Sequence, residues 1–186
     1  MLSATQYELI KKEYGSKASW AIWAAEGPTP KSNIGDLGIF DRADIYKLLN
    51  PNFVFVGLNP SEHNIKTRVE PWRNFHSTDT IRQNDFKLRH ALCGTQFWGA
   101  YITDLNVIKE KDSNKVTISV KDVESFIKEI SLLESKPTLI ALGDKVYRAL
   151  NKNLLGKYRI IKIKHFACYI SKEKYREEVL QALAKI

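Results

Sequence analysis

The stretch Phe53-Val54-Phe55-Val56-Gly57-Leu58-Asn59-Pro60-Ser61 decides how the chain is read. Four consecutive apolar residues running into glycine and Asn-Pro predict a strand buried on both faces and ended by a turn. Gly57 lets a ligand approach the backbone and Pro60 stiffens the exit. Asn59 projects at the strand end with a donor and an acceptor. Two runs share this texture, Ala100-Tyr101-Ile102-Thr103 and Thr138-Leu139-Ile140-Ala141-Leu142, each followed by a helical pattern. A fourth strand is predicted from Arg159 to Lys164, where Ile161 and Ile163 alternate with Lys162 and Lys164 as suits an edge with one wet face.

Between and around these strands the spacing is helical. Residues 119–134 put Val123, Phe126, Ile127, Ile130 and Leu133 on one face, with Ser119 and Asp122 at capping distance and Pro137 beyond the end. A last helix starts near Ser171 and turns Tyr175, Val179 and Leu183 inward. At the N-terminus, Ser3 and Gln6 have capping-box spacing, Leu2 and Tyr7 a staple, and Gly15 breaks the run. A second helix is expected from about Ser16, with Trp20 and Trp23 on one side, ending at Gly27-Pro28-Thr29-Pro30. Lys31–Asp36 reads as loop and Asp41–Leu49 as a short helix. Residues 1–50 are therefore read as a helical extension packed on an α/β core of residues 51–186, within a single domain.

Strands alternating with helices imply a parallel sheet covered on both faces, a three-layer α/β/α arrangement. Ligands of such sheets bind outside the carboxyl ends of the strands. The segments of interest are therefore Gly57–Ser61, Asp104–Asn106, Gly143–Asp144 and His165–Tyr169.

Composition narrows the class. The chain has 186 residues, 44% hydrophobic, with two cysteines and a net charge of +8, enough apolar matter for a real core. No apolar run approaches the roughly 18 residues of a membrane helix, and the N-terminus lacks a secretory pattern. Cys93 and Cys168 cannot build a disulfide framework, and Cys93 is expected in the core. A reduced, cytoplasmic, monomeric protein is the expectation. The charge is uneven: residues 151–186 hold nine basic and three acidic residues, and the stretch Asn151–Lys172 holds six basic and none acidic. A localised basic excess suits an anionic partner, although a solvated lysine-rich face has the same composition. Phosphate-loop, dinucleotide-binding, zinc-spacing and Gly-x-Ser-x-Gly patterns are all missing. Neither a cofactor nor a metal is expected.

Gly57-Leu58-Asn59-Pro60-Ser61 after a buried strand resembles the first motif of the uracil-DNA glycosylase superfamily, nearest its mismatch-specific branch with Gly-Ile-Asn-Pro-Gly. Ala100-Tyr-Ile-Thr-Asp-Leu105 resembles the family's second strand and Thr138-Leu-Ile-Ala-Leu-Gly-Asp144 its third. Lys162-Ile-Lys-His165 falls where the family carries His-Pro-Ser after the fourth. The resemblance runs from about Phe53 to the C-terminus. It implies a four-stranded parallel sheet of order 2-1-3-4 and hydrolysis of an N-glycosidic bond in DNA, at a damaged or mismatched base.

By resemblance, Asn59 positions the attacking water and His165 holds the base oxygen, while Gly57, Leu58, Ser61, Phe75 and Asp104 form the base pocket, with Phe75 stacking. His165 reads equally as a surface histidine ending an edge strand, and Phe75 as a core phenylalanine. Lys152, Lys157, Lys162, Lys164 and Lys172 are the candidate contacts to the DNA backbone. The chain departs from the family in three places. Phe166-Ala-Cys-Tyr169 replaces Pro-Ser and the wedge residue, Ser61 stands near the tyrosine of the uracil-specific branch, and Asp104 replaces the asparagine that reads uracil. An ionised aspartate only accepts, so uracil O4 would lack a donor. Two rival readings stay open: a nucleic-acid-binding module without catalysis, and an enzyme of free nucleosides or nucleotides.

Overall fold

The computed structural model describes residues 2–60, 70–79, 83–108, 110 and 112–186. In chain order the elements are α1 (Ala4–Tyr14), β1 (Ser19–Trp20), β2 (Asn50–Gly57), α2 (Asp85–Leu92), β3 (Ala100–Asp104), α3 (Val120–Ser131), β4 (Thr138–Leu142), α4 (Asp144–Leu154), β5 (Ile160–Ile163) and α5 (Lys172–Leu183). The fold class is α/β.

The sheet corrects the expected topology. It has five strands in the order β1-β3-β2-β4-β5, and it is mixed, because β1 runs antiparallel to β3. The sheet is therefore neither four-stranded nor all-parallel; the order 2-1-3-4 holds only among the four expected strands, and the fifth extends it at the β3 edge. The parallel part consists of β3, β2, β4 and β5, with Phe55 level with Ile102 on one side and Ile140 on the other.

The added strand comes from the segment expected to be a second helix. Ser19 pairs with Ile102 and Trp20 with Tyr101, and Ala21 N–H donates to Ala100 O at 2.7 Å. Trp20 and Trp23 are three apart, which imitates a helix face. The sheet wins because Trp20 packs edge-on to Tyr101 (4.9 Å between centroids), burial that a free helix could not offer. Asp41–Leu49 is likewise not a helix of its own; two single 3₁₀ turns, Gly38–Asp41 and Ile45–Lys47, flank an Arg42–Asp44 pair and lack side-chain caps. Both capping boxes form as expected, Ser3 with Gln6 and Ser119 with Asp122.

The continuous apolar runs are explained by a core on each side of the sheet. Val54, Val56, Tyr101, Leu139 and Ala141 face α1, α3 and α4 through Ile10, Phe126, Ile130 and Leu150. Phe55, Ile102, Ile140 and Leu142 face α2 and α5 through Leu88, Leu92, Tyr175 and Val179. Cys93, expected in the core, is exposed, because it is the C-cap just past the last turn of α2. No helix among the described residues is long and apolar enough to cross a membrane.

Candidate functional site

At the carboxyl edge of the parallel strands lies a cleft of about 200 Å3, lined by Asn59, Pro60, Asn74, Phe75, Ser77, Asp79, Gln83, Asn84, Asp85, Asp104, His165, Phe166 and Ala167. It sits where the loops after β2, β3 and β5 converge with the segment leading into α2. Asn59, Phe75, Asp104 and His165 all open onto it. Ser61 lies outside the described residues.

Asn59 is fixed by the loop that follows β3. Its Nδ2 donates to Pro60 O at 3.1 Å, Ile108 O at 3.0 Å and Glu110 O at 2.8 Å. Three carbonyl partners commit the amide nitrogen, so the group left for a ligand is Oδ1, an acceptor suited to a water proton.

His165 is set as a donor. Ala167 N–H donates to its Nδ1 at 3.1 Å, which places the ring proton on Nε2. The ring stacks on Phe166, with centroids 4.3 Å apart. Part of it opens to the cleft, yet atoms crowd its remaining sides, and this desolvation pushes its pKa down to about 4. At neutral pH it is an uncharged Nε2–H donor. The reading of His165 as a plain surface residue does not describe this ring.

Gly57 and Leu58 do not line the cleft. A Cβ on Gly57 would sit 2.3 Å from Asp104 Oδ1 and 3.5 Å from Phe75 Cζ, so the glycine makes room for those two side chains rather than for a ligand. Leu58 packs on the first core, and its carbonyl accepts from Asn106 N–H at 2.9 Å. Asp104 is buried (3% exposed), and its Oδ2 accepts from Asn74 Nδ2 at 2.9 Å. Phe75 is buried with its ring at the cleft, 6.4 Å and edge-on to Phe166. Its backbone is left-handed (φ 65°), as is that of Trp72 (φ 68°), conformations that side chains rarely adopt.

Several lining residues had no sequence signal. Asn74, Ser77 and Asp79 sit in a segment without periodicity. Asp85 reads only as an acidic residue in a helix's first turn. It accepts from Ser77 N–H at 3.1 Å, and burial pushes its carboxyl up to about 6. Gln83 is buried, and its Oε1 has no partner among the described residues. Among the described residues no group of three histidine, cysteine or acidic side chains could hold a metal.

The five lysines do not form one surface. Lys162 pairs with Asp144 at 2.7 Å and Lys164 with Glu178 at 2.8 Å. Lys172 lies 3.7 Å from Glu26 and 3.9 Å from Glu173. Lys152, in the last turn of α4, and Lys157, beside Thr138 and Arg159, lie at the amino ends of β4 and β5. That is the sheet edge opposite the cleft.

The cleft thus combines an anchored acceptor, an uncharged donor, two aromatic rings and buried carboxyl groups, a set able to hold a flat polar heterocycle by its edges. Compared with known protein families and with curated proteins, the chain matches none.

Proposed function

We propose that the protein is a glycosylase of the uracil-DNA glycosylase type, hydrolysing the bond between a damaged or mismatched base and its sugar in DNA. The observation that carries this reading is the convergence of Asn59, Phe75, Asp104 and His165 on one cleft from separate elements. In the reaction, the C1′–N bond breaks as the base leaves with the electron pair, a water oxygen bonds to C1′, and the proton that the water sheds ends on the departed base anion. Asn59 Oδ1 would accept from that water and orient it. An amide is too weak a base to do more, so the leaving base must be stabilised. The Nε2–H of His165 would do this by donating to the base oxygen on which negative charge grows. A neutral donor in a desolvated site is suited to the task because it is already in place. Phe75 would supply the stacking face.

A second reading, hydrolysis of free nucleosides or nucleotides, is favoured by the lysines. Three of the five are engaged by carboxylates, and two face away from the cleft.

A single-turnover assay on oligonucleotides carrying deaminated or mismatched bases, run beside the matching nucleosides, tests both. Base release from the oligonucleotides is expected, falling about a hundredfold in His165→Ala. Release from nucleosides alone would establish the second reading, and release from neither would overturn both.

A further inference from the structure

The segment Gly15–Trp23 lies outside the stretch that carries the family resemblance, yet it touches the cleft's least regular wall at five residues, Gly15, Lys17, Ser19, Trp20 and Trp23. Gly15 O accepts from Trp72 N–H at 2.8 Å, and Ser19 Oγ donates to Trp72 O at 3.0 Å. Lys17 O accepts from Asn74 Nδ2. His76 Nε2 lies 3.3 Å from Trp20 O, and Trp23 Nε1–H donates to Phe75 O at 3.1 Å. The anchor is itself fixed, since β1 is part of the sheet and Lys17 Nζ pairs with the buried Glu129 at 2.6 Å.

This arrangement answers a specific physical problem. Residues 72–76 contain two non-glycine residues in the left-handed region, and they lack helix or strand bonding of their own. Such a segment relaxes unless its surroundings over-determine it. Relaxation of Phe75 would carry its ring out of the cleft, and movement of Asn74 would break its bond to Asp104 Oδ2. The bond from Trp23 lands on the carbonyl of the strained residue itself.

We infer that Gly15–Trp23 is a positioning element of the cleft, and that Trp23, through its indole N–H, is the positioning residue that holds Phe75 ready to stack on a ligand. Phe75 as a stacking surface rests on the nucleobase reading above, whereas its tethering by Trp23 does not. Trp23 therefore acts on ligand affinity without touching the ligand.

The test compares the full chain with Trp23→Phe, which deletes the N–H but keeps a ring against Trp98 and His76, and with Ser19→Ala, a gentler cut in the same set of bonds. The first measurement needs no ligand: amide hydrogen exchange of the peptide covering residues 70–79, with β4 as internal control. Exchange in 70–79 should accelerate about three- to tenfold in either variant, the worth of one hydrogen bond, with β4 unchanged. The second uses a single-stranded oligonucleotide with one central 2-aminopurine, whose fluorescence is quenched by stacking. Quenching should require Phe75, vanishing in Phe75→Leu. Its midpoint should weaken about three- to tenfold in Trp23→Phe while the dependence on salt stays the same, because phosphate contacts are untouched. Unaltered exchange in 70–79, or equal acceleration in β4, would overturn the inference. So would faster exchange with undiminished quenching. No quenching by the unmodified protein would instead remove the nucleobase reading and leave the exchange result to decide the tether alone.

Discussion

Replacing Gly57 with alanine should damage the protein through one identifiable clash. The added Cβ would lie 2.3 Å from Asp104 Oδ1, whereas its next neighbour beyond Asp104, Phe75 Cζ, is at an ordinary 3.5 Å. Asp104 cannot simply swing aside, being 3% exposed and bonded to Asn74 Nδ2 at 2.9 Å. Overpacking of a filled interior costs about 1–3 kcal/mol, and losing the Asn74 bond adds about 1 kcal/mol. Gly57→Ala should therefore lower stability by about 2–4 kcal/mol in urea denaturation, with an unchanged slope. The decisive comparison repeats the change in an Asp104→Ala background. There the clashing oxygen is gone, and alanine restricts the unfolded chain more than glycine does, worth about 0.4–1 kcal/mol in favour of folding. The same substitution should then be near neutral, a coupling of at least about 2 kcal/mol. An equal cost in both backgrounds would refute the idea that Gly57 exists to accommodate Asp104.

Asp104→Asn should raise uracil excision or binding about tenfold or more over the unmodified protein, because the amide supplies the donor that O4 lacks; efficient uracil release without gain in the variant would show that residue 104 does not read the base. Stability should fall as pH drops below about 6.5. His165 and His76 are pushed by burial to about 4 and about 3, so the unfolded chain takes up protons that the folded chain refuses. Asp85, raised to about 6, works in the opposite sense, stabilising as pH falls through that value, so the net slope should be about 1 kcal/mol per pH unit between about pH 6 and pH 4.5. Flat urea midpoints from pH 7 to pH 5 would contradict this balance. Neutralising Lys162 and Lys164 together should lower the salt dependence of oligonucleotide binding by about one to two units if phosphates compete for them; no change would remove this face from the contact surface.

The parts of the fold readable from the sequence are those in which local pattern and tertiary environment agree. The runs beginning at Phe53, Ala100 and Thr138 are apolar at consecutive positions because each strand has a core on both faces. Ser119 and Ser171 sit at helix starts because their hydroxyls satisfy free backbone donors. β1 was not readable, since two residues carry no period and a tryptophan spacing of three favours the wrong one. Asn59, Asp104 and His165 could be named because strand ends point to the ligand edge, whereas Phe75 came only from the family resemblance. Asn74, Gln83 and Asp85 could not, as nothing in their spacing shows that a left-handed turn at Trp72 and Phe75 folds them over the same cleft. That the lysines divide between two edges of the sheet is not legible in the sequence, for a topological reason. Lys152 and Lys164 are close in sequence, but α4 runs back along the sheet for about 16 Å, so residues near its end emerge at the far edge.

The pairing of β1 with β3 also dictates when this molecule can finish folding. Ser19 meets Ile102, so the N-terminal tryptophans leave the ribosome long before the strand that will cover them. Until β3 is synthesised, Trp20 and Trp23 have no sheet to join and Trp72 has no anchored neighbour to hold it. Closing so long a loop is an entropic cost met only when the late contacts reward it, so docking of the first strand waits on the second half of the chain. Residues 72–76, held by that segment, cannot settle before it docks. A nascent chain cut short before Asp104 would contain the Asn59 turn and the Phe75 ring, with nothing to bring them together.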